Sequence, residues 1–290
     1  MDTVETDLWT EVGMIAPRSF TFIRTALAVW SVSILLFAAS PANASVFLED
    51  LTWTELRDLI GGGTTTIIIP IGGTEQSGPA MALGKHNVRA KFLAEKIAER
   101  LGNALVAPVI AYVPEGTIDP PTAHMKFPGT ITISDKVFEA LLESAARSFK
   151  LHGFKTIVLI GDHGGYQADE SAVADRLNAE WKKTPVRVFA DLDYYRITQG
   201  PYVDKLLGAG AKHSEIGSHA GLADTSLMLA VDPSLVRKDR LADASKFTAA
   251  DGVYSGDPTR SSAEFGQLGI DLIVNGTTNA IRGFIAKQPK

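Results

Sequence analysis

The sequence predicts an α/β fold in which helices cover both faces of a mostly parallel sheet, and three observations support this prediction. Short apolar runs rich in Ile and Val alternate with longer stretches of helical periodicity. These runs are apolar throughout rather than at every second position, which is typical of strands buried on both faces. The chain has 290 residues, 45% hydrophobic and 21% charged, which suits one large domain.

Four strands are predicted along the chain. The first, residues 64–71, reads TTTIIIPI and is almost entirely β-branched. Shorter apolar runs follow at residues 104–109, 156–160 and 186–190. Because a helical stretch separates each strand from the next, the strands are expected to run parallel and to be joined by helical crossovers.

Three helices fill the intervals between these strands. Residues 87–101 carry apolar side chains near helical spacing. A second helix is expected to begin after Ser134, a residue type that caps helices, and to end at Gly153, where a left-handed residue is common. A third spans residues 167–181.

Composition restricts the function. The formal net charge is −5 and the chain has no long basic run, which argues against nucleic acid as a partner. The sequence contains no cysteine, so disulfides and thiolate metal sites are excluded. Any metal must therefore bind to His, Asp or Glu side chains.

The N-terminal segment has the order of a secretory signal peptide. Arg18 and Arg24 precede an apolar run at residues 25–40, and an Ala-Asn-Ala sequence ending at Ala44 follows it. We expect residues 1–44 to be a signal peptide that is cleaved after Ala44.

The mature chain, residues 45–290, would then be one domain that is secreted or periplasmic and not stably inserted in a membrane. A retained membrane anchor is the alternative, although the apolar run is shorter than the roughly 20 residues of a typical span. Translation from Met14 instead of Met1 is also compatible with this order.

Polar and Gly-rich loops follow two of the predicted strands. Residues 72–79 read GGTEQSGP and residues 161–165 read GDHGG, so Glu75 and His163 lie at carboxyl ends of strands, where α/β proteins bind ligands. His86 and Asp224 are further candidates. A single loop His or Glu is usually an ordinary surface or hydrogen-bonding residue, so spacing alone indicates a metal only weakly.

Five segments, in this order, resemble the creatininase family over nearly the whole mature chain. They are PIGGTEQSGPAMALGKHN (70–87), HMKFPGTITIS (124–134), LHGFKTIVLIGDHGG (151–165), HAGLADTSLML (219–229) and GVYSGDPTRSSAEFG (252–266). The resemblance implies a three-layer α/β/α sandwich and a homo-oligomer, frequently a hexamer. It also implies hydrolysis of a carbon–nitrogen bond in a cyclic or linear amide with one or two divalent metals.

The family's metal-binding motifs are only partly kept. Glu75 and His163 match family ligands, whereas Ser77 replaces a ligand histidine and His86 replaces an aspartate that bridges two metals. Asp224 replaces a family glutamate. A carboxylate can bridge two cations and a neutral imidazole cannot. The resemblance therefore implies one metal per chain, Zn²⁺, Mn²⁺ or Fe²⁺, and its predicted ligands are Glu75, His86, His163 and Asp224.

The expected chemistry is attack on a substrate carbonyl by a water that the metal activates. Glu75 or Asp162 would accept the proton of this water, and His219, which matches a family histidine expected to assist proton transfer, would protonate the leaving group. The residues predicted to contact the substrate are His124, Ser77 and Tyr166.

The predicted function is hydrolysis of a small cyclic amide, such as a lactam or imide, or of a lactone. Two alternatives stay open on the same fold. One is a non-hydrolytic metal enzyme, such as an isomerase or an Fe²⁺-dependent enzyme, because two histidines plus a carboxylate also suit iron. The other is a degenerate member that binds a small molecule without turnover.

Overall fold

The structure, a computed structural model, describes residues 45–288 and contains a four-stranded sheet in which every pair of neighbours is parallel. The strands are β1 (Thr66–Ile71), β2 (Ala104–Val106), β3 (Thr156–Gly161) and β4 (Arg187–Ala190). Their order is β2-β1-β3-β4, so β1 and β3 are the central pair and align over six residues each. The predicted parallel sheet is confirmed.

Helices cover both faces of this sheet. In chain order they are α1 (Trp53–Gly61), α2 (Lys85–Leu101), α3 (Asp135–His152), α4 (Gln167–Glu180), α5 (Leu192–Gln199), α6 (Pro201–Gly208), α7 (His213–Ile216), α8 (Leu222–Val231), α9 (Lys238–Leu241) and α10 (Ala263–Ala286). Helices α2, α5, α6, α8 and α10 share one core with one face of the sheet. Helices α1, α3 and α4 share a second core with the other face. The result is a three-layer α/β/α sandwich.

The isoleucines of β1 explain why the sheet needs two helical layers. Ile67 and Ile69 pack in the core with α3 and α4, whereas Ile68 packs in the core with α2 and α10. All six residues of β1 are buried. Burial of each such side chain contributes roughly 1.5–3 kcal/mol, so the strand stabilises both interfaces.

Element boundaries differ from the predicted ones at few points. Gly153 has φ 106° and ends α3, as predicted. Ser134 occupies the N-cap position of that helix, but its side chain accepts no capping hydrogen bond from the described residues. The regular part of β2 stops at Val106 instead of residue 109, and the chain pairs with β1 again at Ile110, which forms an isolated parallel bridge with Ile71.

The long connection from β2 to α3 contains a short 3₁₀ helix at Ala123–Lys126 and otherwise lacks regular structure. This connection crosses the carboxyl edge of the sheet and brings two side chains into the site described below. The predicted signal peptide lies outside the described residues. Within residues 45–288, no helix is both long and apolar enough to cross a membrane.

Candidate metal centre

Four side chains at the carboxyl edge of the sheet, three of them buried and His163 partly exposed, form what we call the donor cluster. Glu75 follows β1, Glu115 lies beyond β2, His163 follows β3, and His124 belongs to the 3₁₀ helix. Each offers one nitrogen or oxygen, and these four atoms all lie within 4.8 Å of one another. Parallel strands place their carboxyl ends at one edge, which is why residues so distant in sequence meet here.

Two backbone features hold the donor cluster. Gly73 has φ 146°, and a Cβ atom at this position would lie 2.7 Å from Glu115 Oε1, so the residue must be glycine. Ala123, directly before His124, has φ 46°, a left-handed conformation that is unfavourable for alanine. Backbone strain of this kind is concentrated at functional sites.

The carboxylate oxygens of the donor cluster are unsatisfied. Glu75 Oε2 lies 3.1 Å from His124 Nδ1 and 3.6 Å from His163 Nε2, and Glu115 Oε2 lies 3.9 Å from His163 Nε2. Nevertheless, Glu75 Oε2 and both oxygens of Glu115 accept no hydrogen bond from any part of the chain that the structure describes. Buried polar atoms are nearly always paired, so these three oxygens indicate a ligand.

The protonation states differ among the members of the cluster when no metal is bound. Burial opposes ionisation of Glu75, but the charges on His86 and Lys85 outweigh it and hold the pKa of Glu75 well below its usual range. Burial and the neighbouring Glu75 raise the pKa of Glu115 to about 9. Burial lowers the pKa of His163 to about 4, so its imidazole is neutral. A neutral imidazole can bind a metal directly, whereas a protonated carboxyl group such as that of Glu115 must first lose its proton.

These residues therefore fit a divalent metal ion. Two imidazoles and two carboxylates suit Zn²⁺, Mn²⁺ or Fe²⁺, and the chemistry of the donors does not discriminate among these ions. Carboxylates that lack partners are costly in a folded core, and coordination would remove this cost.

A second set of charged side chains, which we call the ion-pair cluster, lies beside the first and comprises Lys85, Arg89, Asp162 and Asp224. Arg89 Nε donates to Asp162 Oδ2 at 2.8 Å, and its NH1 donates to Asp224 Oδ1 at 2.6 Å. Lys85 Nζ donates to Asp224 Oδ2. Lys85 and Arg89 are 1% and 4% exposed, so these pairs are shielded from water.

The structure places two of the four predicted metal ligands outside the donor cluster. Asp224 is held by Lys85, Arg89 and the backbone N–H of Ala220, so its oxygens already have donors. His86 points Nε2 at Glu75 Oε1 (2.7 Å) and Nδ1 at Asp162 Oδ2 (2.6 Å). Both ring nitrogens of His86 therefore face carboxylates, and neither is among the four atoms of the donor cluster. Glu75 and His163 are in the cluster.

The other predicted residues divide in a similar way. Asp162, predicted as a proton acceptor, already accepts hydrogen bonds from Arg89, His86 and the hydroxyl of Tyr194. Tyr166, predicted to contact substrate, is fully buried, and its hydroxyl donates to the carbonyl oxygen of Gly72 at 2.6 Å. Both roles stay predictions, and in this structure the polar atoms of the two residues are engaged within the fold.

Three predicted residues lie next to the donor cluster. His219 Nδ1 is 3.6 Å from Glu75 Oε1, and His124 is itself a member of the cluster. Ser77 is buried, and its hydroxyl has no hydrogen-bond partner among residues 45–288. His124 and His219 also line a cavity of about 250 Å³ that includes Tyr195 and Tyr254.

Sequence reasoning missed Glu115, Gln76, Lys85 and Arg89. Gln76 lies between two site histidines, with its Nε2 3.1 Å from His124 Nδ1 and 3.2 Å from His219 Nε2. Lys85 and Arg89 flank the predicted His86 on α2, so helical periodicity could have indicated them. Glu115 follows β2 only after an irregular stretch, and no local pattern marks it.

A parallel sheet with a His–Glu cluster at its carboxyl edge is an arrangement that metal-dependent hydrolases can use, and comparison with known proteins identifies the family. The sequence model of creatininase, described as creatinine amidohydrolase, matches residues 49–281, and the chain therefore belongs to the creatininase family. The chain is 29% identical over 259 residues to a creatinine amidohydrolase of Pseudomonas putida, covering 83% of this chain and 97% of the relative. It is 27% identical to a mycofactocin precursor peptide peptidase of Mycolicibacterium smegmatis, covering 74% and 84% of the two chains.

Solved structures of the family have the same fold. A crystal structure of creatinine amidohydrolase superposes with a TM-score of 0.70 at 26% identity, covering 84% of this chain and 99% of the other. A mutant creatininase of zinc–zinc type superposes with a TM-score of 0.69, also at 26% identity, covering 84% and 99%. The creatininase-like fold expected from the sequence is confirmed.

Proposed function

We propose that this protein hydrolyses a small cyclic amide or a lactone and uses one divalent metal ion per chain, held by Glu75, Glu115, His124 and His163. One observation carries the proposal. Three buried carboxylate oxygens converge on two imidazoles and have no other partner in the described chain. When bound, the ion would act as a Lewis acid and lower the pKa of water toward neutrality.

His219 is suited to move the proton. Its Nε2 lies 2.9 Å from the carbonyl oxygen of Gln76, to which it donates a hydrogen bond. This contact fixes the proton on Nε2, so the lone pair is on Nδ1, which faces Glu75 Oε1 at 3.6 Å. Nδ1 can therefore accept a proton and return it to the leaving group.

The size of the cavity supports a small substrate. At about 250 Å³ it is slightly smaller than typical ligand pockets, which measure about 300–1,000 Å³. Tyr195 and Tyr254 give it aromatic walls, and His124 and His219 give it polar groups. The P. putida relative is named for creatinine, a comparably small molecule, which also supports this choice.

A reconstitution assay tests the proposal. Metal-free protein would be reloaded with Zn²⁺ or Mn²⁺ and offered lactams, cyclic imides, hydantoins and lactones, with bound metal measured in parallel. We expect about one ion per chain and ring opening of at least one substrate class only in the reloaded protein. A folded protein that binds no ion would contradict the proposal, and oxygen consumption with Fe²⁺ would favour the non-hydrolytic alternative.

We further propose that the enzyme acts outside the cytoplasm as a homo-oligomer, and that the hexamer is its assembly. The support is the order of residues 1–44 for export and the family resemblance for assembly. N-terminal sequencing of protein from the periplasmic fraction should begin at Ser45. Light scattering of the same sample measures the number of subunits, and a monomer would contradict the second part.

A further inference from the structure

We propose that the ammonium group of Lys85 takes the place of a second divalent ion, and that this is why the centre holds one ion. The inference rests on the proposed function, because it requires that the donor cluster binds a metal. It assigns to Lys85 a positioning role: a fixed internal cation that neutralises carboxylates which would otherwise attract another ion.

The position of Lys85 supports this role. It is the first residue of α2, and its side chain is 1% exposed although the group is charged. Its Nζ lies 3.5 Å from Glu75 Oε1 and donates to Asp224 Oδ2. The ammonium therefore bridges a carboxylate of the donor cluster and a carboxylate of the ion-pair cluster, which come from different elements.

The balance of charge supports it as well. The carboxylates of Glu75 and Asp162 are buried and that of Asp224 is 17% exposed, and Arg89 neutralises Asp162 and one side of Asp224. Without Lys85, Asp224 Oδ2 would keep only the backbone N–H of Ala220, and Glu75 Oε1 would keep only His86. Buried carboxylates require a counter-charge, which either an ammonium or a metal ion can supply.

The surrounding side chains agree with an internal cation. Ser77, at the position where the family motif has a ligand histidine, is buried and has no partner in residues 45–288. His86 stands where that motif has a bridging aspartate, and it donates toward Glu75 instead of accepting. Two ligands of the motif's second ion are therefore replaced, while Lys85 faces the two carboxylates that remain, Glu75 and Asp224.

Metal stoichiometry tests the inference without an activity assay. Metal-free wild type, Lys85→Met and Lys85→Arg would be titrated with Zn²⁺ by calorimetry, and bound zinc counted by mass spectrometry after gel filtration. Lys85→Met keeps the length of the side chain and removes its charge, so we expect two ions per chain. Lys85→Arg keeps the charge and should stay at one. Lys91→Met is the matched control. Lys91 lies on the same helix, is exposed and pairs with Glu49, so this variant should also bind one ion per chain.

The outcomes separate this inference from the proposed function. A wild type without zinc refutes the proposed function and the inference together. One ion in both the wild type and a folded Lys85→Met variant refutes the inference alone. A second ion in the wild type at excess zinc refutes the inference together with the one-ion stoichiometry of the proposed function. If Lys85→Met does not fold, Lys85→Gln replaces it, and the count in the wild type still decides between one ion and two.

Discussion

The donor cluster and the ion-pair cluster are neighbours built from similar residue types, yet they differ in whether their polar atoms have partners. In the ion-pair cluster, Arg89 and Lys85 supply donors to the oxygens of Asp162 and Asp224. In the donor cluster, Glu75 Oε2 and both oxygens of Glu115 have no partner in residues 45–288. Satisfied charges stabilise the fold, and unsatisfied ones are available for a ligand. Four changes test this contrast.

The largest effect is expected in the donor cluster from His163→Ala. Removing this imidazole removes a metal ligand, so we expect loss of stoichiometric metal and a fall in the rate of hydrolysis of more than about 100-fold. This exceeds the loss of about 10–100-fold that is typical for residues that contact the ligands but not the metal. Metal analysis and the reconstituted assay measure both. His213→Ala, at an exposed histidine, is the control. One retained ion per chain in His163→Ala would sink the ligand assignment.

The next effect is expected in the ion-pair cluster from Arg89→Met. This change leaves Asp162 and Asp224 buried without their main donor, so the free energy of unfolding should fall by about 3–5 kcal/mol. Urea denaturation measures it. Arg147→Met breaks an exposed pair with Glu180 and should cost less than about 1 kcal/mol. Equal costs for the two variants would show that the cluster does not hold the fold.

The boundary between the clusters is tested by comparing His124→Asn with His86→Asn. If His124 is a ligand, His124→Asn should lower the Zn²⁺ affinity by more than about 100-fold. If His86 only orients Glu75, His86→Asn should lower the Zn²⁺ affinity by about 10–100-fold. Calorimetric titration of both variants gives the order. The reverse order would restore His86 as a ligand, as the sequence predicted.

The smallest effect on the metal centre is expected from a buried carboxyl group outside both clusters. Burial, with a further contribution from Asp193, raises the pKa of Asp191 to about 7. The folded chain therefore keeps a proton that the unfolded chain releases above about pH 4, and stability falls as pH rises from about 4 to 7. Asp191→Asn should remove this loss, with a gain on the order of 4 kcal/mol at pH 8 and little at pH 4.

Urea denaturation at several pH values measures the gain at Asp191. Asp239→Asn, at an exposed aspartate, is the control and should show no such dependence on pH. A gain that is the same at pH 4 and pH 8 would contradict the prediction. The result would also show that a buried oxygen without a partner, such as Asp191 Oδ2, can be a cost to the fold instead of a ligand site.

Much of the fold could be predicted because its signals are local. The isoleucine run of β1 and Gly153 at the end of α3 depend on neighbours in sequence, and both were found where expected. Glu75 and His163 were predicted to share a crevice for a similar reason: each directly follows a central strand, and central parallel strands end side by side.

The partners within the site could not be predicted, because they depend on contacts between distant segments. Lys85 and Asp224 are 139 positions apart, and nothing near Asp224 shows that it faces an ammonium instead of a metal. His86 is predicted as a ligand because it stands where the family motif has a bridging aspartate, but Asp162 on a neighbouring loop holds its ring. The sequence shows which side chains are able to bind a metal, but it does not show which of them already have hydrogen-bond partners in the folded chain.

The buried phenol of Tyr166 has a consequence for how the centre is assembled. Its oxygen donates to the carbonyl of Gly72 and accepts from the backbone N–H of His163, so it ties the loop after β1 to the loop after β3. The gap between the segments that carry Glu75 and His163 is thus set by the polypeptide itself. A metal ion would therefore bind to ligands that the fold already holds in place, which lowers the conformational entropy lost on metal binding.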